Sequence, residues 1–339
     1  MGHLPGKRRV VVLTFLAGAE LDPEASRKRW KEATVIGLVG FAAPFLGTAW
    51  AARQSLGWEP GASWLAGVAL STTSVAVVYA VLLELGLNHI EYGKIILAAC
   101  FINDLGTVIA LGLLFAPFSR RTLTFAATLG VALWILKRLA SLFFRRYGGR
   151  ASEVEAKSLL LSLFALGGLA AWVGSEAVLP AYLIGMTLAG RVGRDHALIR
   201  RLRTLTFGLL TPFSFIRAGS LVQVPVVLAW FGTFLTLFSA KAVSKFTGIF
   251  PLTRKYGYAR NEGMYTTLFM STGLTFGTIS SLYGLTHGII GQAKYSLLVA
   301  TAIASAVIPT WIANRFFLPK HSIDQSSTSI GTLLSPEGG

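Results

Sequence analysis

Charge is scarce in this chain. Of its 339 residues only 14% are Asp, Glu, Lys or Arg, against about 25% in a soluble domain. With 53% hydrophobic residues and a mean hydropathy of +0.61, that scarcity excludes an ordinary soluble globule and places the chain in a bilayer. Acids are scarcer still, 15 against 31 Lys plus Arg, for a net charge of +16. In a soluble protein such an excess points to nucleic acid. Here the basic residues lie between apolar stretches, so the membrane surface is the partner and no nucleic acid is expected. Cysteine is nearly absent. Cys100 is the single one and sits inside an apolar run, which excludes an internal disulfide and a cysteine metal cluster. No cofactor is expected.

Ten segments are apolar over about the 19 residues a spanning helix needs: 33–51, 63–84, 94–117, 122–144, 157–175, 177–192, 205–222, 225–250, 262–284 and 294–316. An eleventh, 10–21, is half long enough to cross. The connecting loops sort into two alternating groups with 18 and 4 basic residues, the larger including Arg27–Lys31, Arg191–Arg203 and Arg254–Arg260. Basic loops stay cytoplasmic, which places the C-terminus inside and has the partial span run inward. That start has no A-x-A-like cleavage site and no apolar lead-in, so the chain reads as missing its natural beginning. The Ser-, Thr- and Gly-rich stretch 319–339 reads as a disordered cytoplasmic tail.

The costly residue is Asp104, inside the span 94–117. A carboxylate at membrane depth costs roughly 2.5–3.5 kcal/mol on insertion scales, and such a group is usually kept because it binds an ion or carries a proton. The bland reading is a satisfied Asp on a helix interface. Span 63–84 contains ALSTTSVAV (69–77), and span 262–284 contains MSTGLTFGTISS (270–281). Hydroxyl side chains compete for backbone hydrogen bonds. Each run reads either as a small-residue helix contact or as a helix broken at mid-membrane whose freed oxygens face a cavity. Two interrupted helices at corresponding places in two halves point to an inverted-repeat transporter site. Span 225–250 carries Lys241 and Lys245. Lys245 lies one turn nearer the cytoplasm and is expected to snorkel. Lys241 is deeper, and its natural partner is Asp104, unless it snorkels too. Arg217 is expected to anchor carbonyls or an acid of a neighbouring helix, a structural charge rather than an ion contact. Glu20, Asp22 and Glu176 read as interfacial.

At these residues the chain resembles the bacterial monovalent cation:proton antiporters of the Kef-type and Nap-type superfamily. FLAGAELDP (15–23) is similar to that family's FLAGLELDP motif, and LSTTSVAV (70–77) to its unwound fourth helix. Asn103-Asp104 falls where the family carries Asp-Asp or Asn-Asp, Lys241 matches the lysine of its tenth helix, and STGLTFGT (271–278) its second broken helix. The resemblance covers residues 10–318. It implies an all-α polytopic membrane protein with an inverted-repeat antiporter fold and two crossing broken helices, here with about ten full spans plus one partial. Residues 1–318 would be the exchanger domain, lacking its first two or so helices.

It also implies antiport of Na⁺ or K⁺ against H⁺ by alternating access, in a homodimer in the inner membrane. The site would be Asp104 and Asn103 with Thr72, Thr73 and Ser74. Thr272, Gly273 and Thr275 would form the second break, and Lys241 would compensate charge. Asp104 would carry the transported cation. Asn-Asp members are generally electroneutral, which implies one-for-one exchange. A Kef-like potassium efflux system normally brings a cytoplasmic nucleotide-binding domain with a GxGxxG loop, and none follows residue 318 in this sequence. A non-transporting fragment is the third reading. An intramembrane aspartyl protease needs two facing aspartates, and Asp104 has no second mid-membrane Asp. The chain is therefore not expected to be an enzyme.

Overall fold

The computed structural model describes residues 29–87, 90–115 and 218–319, with isolated helical positions between 128 and 216. The chain divides into two compact units. One holds Met1–Pro23 and Val108–Ser220, the other Glu24–Thr107 and Leu221–Gly339. Every residue discussed below as part of the site belongs to the second. The expected spans 122–144, 157–175, 177–192 and 205–222, the partial span 10–21, the tail, and the charges Arg217, Glu20, Asp22 and Glu176 lie outside the described residues, apart from 218–222, 319 and isolated positions.

Among the described residues the secondary structure is helical. The order is α1 (Trp30–Gln54), α2 (Pro60–Ser71), α3 (Val75–Glu84), α4 (Glu91–Phe115), α5 (Val224–Ala229), α6 (Phe231–Lys255), α7 (Arg260–Met270), α8 (Thr275–Thr286) and α9 (Gln292–Phe316). Helices α1, α4 and α9 are each 25 residues long and apolar enough to cross a membrane. At 1.5 Å per residue such a helix reaches about 37 Å, more than the roughly 30 Å of hydrocarbon. Helix α6 has the same length but carries two lysines in its middle. The spans expected at 63–84 and 262–284 are each two half-helices, α2 with α3 and α7 with α8, of 10–12 residues apiece. Each half reaches only about 15–18 Å, so both interruptions fall at the depth of a mid-membrane site.

Small residues draw the elements together, as they do in lipid, where packing rather than water drives helix association. A Cβ on Gly37 of α1 would lie 2.7 Å from the Ala99 carbonyl of α4, and one on Gly67 of α2 would lie 2.6 Å from the Phe45 carbonyl of α1. Helix α1 packs mainly on α2 and α6. Phe41, Phe45 and Trp64 stack along its α2 side, with ring centroids 5.3 and 5.4 Å apart. Inside α1, Pro44 has no N–H to donate to Gly40, while Thr48 donates its hydroxyl back to the Pro44 carbonyl at 2.6 Å. Large apolar side chains such as Leu46, Trp50, Ile303, Val307 and Trp311 are exposed. The buried set includes Ser71, Thr72, Thr73, Asn103, Asp104, Lys241, Lys245, Thr272 and Ser305. An apolar outside around a polar centre suits a bilayer around a transport site.

Candidate functional site: two broken helices around Asp104

Helix α2 stops at Ser71 because its hydroxyls turn back on the chain. Ser71 Oγ donates to the Val68 carbonyl at 2.9 Å. Thr72 (φ −64°, ψ 154°) and Ser74 (φ −92°, ψ 97°) are extended before α3 begins. Helix α7 ends in the same way. Ser271 Oγ donates to the Thr267 carbonyl at 2.8 Å and Thr272 Oγ1 to the Phe269 carbonyl at 2.7 Å. The two interruptions meet. The Ser74 N–H donates to the Thr272 carbonyl at 2.8 Å, and the Thr73 hydroxyl to the Met270 carbonyl at 2.8 Å. Ser74 Oγ and Thr275 Oγ1 lie 3.5 Å apart. Backbone groups that leave a helix at membrane depth need partners, and here each break supplies them for the other.

Gly273 is where the crossing is tightest. A Cβ there would sit 2.5 Å from the Thr72 carbonyl oxygen and 2.7 Å from Thr72 Oγ1, and would also run into Lys241 Nζ. Gly277, one turn on, would place a Cβ 2.9 Å from the Ala69 carbonyl. The second break can approach the first only because both positions lack a side chain.

Helix α4 brings Asn103 and Asp104 to the crossing. The Asn103 amide donates to the Ser71 carbonyl at 3.3 Å. Thr107 holds the same region, its hydroxyl 3.2 Å from the Asn103 carbonyl and 3.3 Å from Ser71 Oγ. Asp104 is 2% exposed, and its carboxylate lies beside the backbone of Thr73. Three buried oxygens here have no hydrogen-bond partner: Thr72 Oγ1, Asn103 Oδ1 and Asp104 Oδ1. All three belong to residues of, or beside, the first break. Buried acceptors without donors carry a desolvation penalty of roughly 1–3 kcal/mol each, and a desolvated hard cation removes it, since such ions take oxygen ligands.

The lysines depart from the sequence expectation. Lys241 does not pair with Asp104; its Nζ donates to Ser305 Oγ at 2.9 Å, and Ser305 in turn bonds the Ala302 carbonyl at 2.8 Å and lies 3.5 Å from the Gly273 carbonyl. Lys245 does not snorkel. It is fully buried, and its Nζ donates to Thr73 Oγ1 at 3.0 Å. The reason is the face they share. The buried residues of α6 are Leu237, Lys241, Lys245, Ile249 and Thr253, a four-residue spacing that lays one stripe along the helix. Both side chains therefore point inward, where Ser305 of α9 and Thr73 of the first break offer oxygens. Neither lysine makes an ion pair with Asp104 among the described residues. Lys245 is the one bonded to the first break, through Thr73.

The crossing thus brings together Asp104, Asn103, Thr72, Thr73, Ser74, Thr272, Gly273 and Thr275, with Lys241 beside Gly273. Sequence reasoning missed Lys245, Ser71, Thr107 and Ser305. The four-residue repeat through Lys241 and Lys245 was a usable signal for the first. Ser305 carries none beyond the buried polar spacing Thr301, Ser305 along α9.

A family described as "Sodium/hydrogen exchanger, transmembrane" matches residues 9–317. A probable Na⁺/H⁺ antiporter of Methanocaldococcus jannaschii is 24% identical over 91% of this chain and 82% of its own length. A Na⁺/H⁺ antiporter of Enterococcus hirae is 24% identical with the same coverage of both, 91% and 82%. Against a cation/H⁺ antiporter of Arabidopsis thaliana, 25% identical over 94% of this chain, the chain spans 41% of the relative's length. Among solved structures, a sodium proton antiporter from Methanocaldococcus jannaschii at pH 8 superposes with a TM-score of 0.63 at 14% identity, covering 97% of this chain and 84% of that one. This chain belongs to the sodium/hydrogen exchanger transmembrane family, within the monovalent cation:proton antiporter superfamily, and has its all-α polytopic fold.

Proposed function

We propose that this protein is a secondary antiporter that exchanges a monovalent cation, Na⁺ or K⁺, for a proton at Asp104. The observation that carries the reading is the set of three unpartnered buried oxygens, Thr72 Oγ1, Asn103 Oδ1 and Asp104 Oδ1, gathered where two broken helices cross. One carboxylate serving cation and proton in turn enforces exchange, because each ligand must leave before the other binds. Asp104 Oδ1 has no hydrogen-bond partner, which leaves it for the transported ion. Lys245 stands beside the site, its Nζ on Thr73 Oγ1 at 3.0 Å. The cation is the cargo and no resident cofactor takes part. Residues 1–318 form the exchanger domain, the assembly is a homodimer, and the chain lies in the inner membrane with its C-terminus in the cytoplasm.

The test is a pH-dye assay on sealed vesicles or proteoliposomes with Na⁺, K⁺ and Li⁺. Wild-type protein moves protons in response to at least one of these ions, and Asp104→Asn abolishes that response at normal protein levels. Full activity in Asp104→Asn would remove Asp104 from the mechanism. A flux that needs K⁺ alone and no counter-moving proton would favour a potassium efflux system instead.

A further inference from the structure

Thr73 stands among the cation ligands expected from the sequence, yet most of its hydrogen-bonding capacity is committed elsewhere. Its O–H donates to the Met270 carbonyl at 2.8 Å, its Oγ1 accepts from Lys245 Nζ at 3.0 Å, and its backbone lies beside the Asp104 carboxylate. The open hydroxyl oxygen is its neighbour's, Thr72 Oγ1. Thr73 therefore joins the lysine of α6 to the carbonyl end of α7, beside the carboxylate of α4. Lys245 and Asp104 make no ion pair, so Thr73, bonded to the one and beside the other, stands between them.

We propose that Thr73 is a positioning residue for exchange. It passes the influence of Lys245 to Asp104 and holds both breaks around the carboxylate, without coordinating the cation itself. The inference rests on the antiport reading of the site. Its physical basis is that a hydrogen bond to a charged group is worth more than a neutral one. The ammonium of Lys245 polarises the Thr73 hydroxyl it donates to, and that hydroxyl is what ties the first break to Met270. The charged and titratable groups facing Lys245 are Lys241, Cys100 and Asp104. Loss of the Thr73 link changes how the lysine acts on Asp104 while leaving those neighbours in place.

The experiment measures exchange in proteoliposomes across pH with Na⁺ and K⁺. It compares Thr73→Val, Thr73→Ser, Lys245→Met and the double substitution Thr73→Val with Lys245→Met, with Asp104→Asn as the control. The expected result is that Thr73→Val raises the cation KM roughly tenfold and moves the pH profile in the same direction as Lys245→Met. The double variant is no worse than the poorer single one, and Thr73→Ser restores wild-type behaviour. Multiplying effects in the double variant overturn the coupling. A changed Na⁺/K⁺ preference with an unmoved pH profile also overturns it and makes Thr73 a cation ligand. Should Thr73→Val not accumulate in the membrane, Thr73→Ala carries the same comparison, because it too removes the hydroxyl. If Asp104→Asn stays active, the site reading itself fails; if it is inactive while the two substitutions multiply, only the coupling through Thr73 fails.

Discussion

Gly273 shows how a single residue sets the distance between the two breaks. An added Cβ would meet a flexible neighbour, the Lys241 ammonium, and a fixed one, the Thr72 carbonyl oxygen at 2.5 Å. A lysine tip can swing aside, but a backbone carbonyl that lines the crossing cannot. Gly273→Ala is therefore expected to cost about 1–3 kcal/mol of stability, as overpacking does, and to abolish exchange. Adding Lys241→Met should not rescue it, because the carbonyl contact remains. Thermal unfolding in detergent and vesicle exchange report the two effects. Gly232→Ala in α6, where a new Cβ meets nothing within 4 Å, is the control and should leave both unchanged. A Gly273→Ala variant rescued by Lys241→Met would mean that the ammonium, not the backbone, sets the spacing.

The broken helices are the elements that make the site, and each is held open by the other. The Ser74 N–H to Thr272 carbonyl bond at 2.8 Å is the backbone link between them. Proline at 74 deletes that donor and strands the Thr272 carbonyl, so Ser74→Pro should lower stability by about 1–3 kcal/mol and cut the exchange rate, with Ser74→Ala, which keeps the N–H, close to wild type. Equal losses in the two variants would shift the importance from the backbone bond to the hydroxyl. The position of both breaks was legible in the residues, because clustered hydroxyls compete with the helix for its own carbonyls, and both do so here at Ser71, Ser271 and Thr272. The partner of each lysine was not. Lys241 and Lys245 differ by one helical turn, and depth along a helix says nothing about which neighbour presents an oxygen. Ser305 lies 64 positions from Lys241 and Thr73 lies 172 from Lys245, so only the folded chain reveals those bonds. Likewise Asp104 was identifiable as costly, whereas its place beside the Thr73 backbone, 31 positions away in sequence, was not.

At the scale of the whole molecule the question is how much charge crosses per cycle. Asn103 stands where a second carboxylate would sit and cannot take a proton, which leaves Asp104 as the one acidic group at the crossing among the described residues. If Lys245 keeps its proton throughout, held on Thr73, each turnover returns one proton for one cation and moves no net charge. The imposed potential then has nothing to act on. An exchanger that moved one net charge would gain about 2.3 kcal/mol per 100 mV, roughly fiftyfold in the ion gradient it can sustain. Proteoliposomes clamped at several potentials with a potassium ionophore, with Na⁺-driven proton flux as the readout, separate the two. The rate and the final gradient are expected to be independent of potential in the wild type and in Lys245→Met alike. Dependence in the wild type that disappears in Lys245→Met would identify Lys245 as a second proton carrier and replace one-for-one exchange with two protons per cation. Dependence that persists in Lys245→Met would place the extra charge outside this crossing altogether.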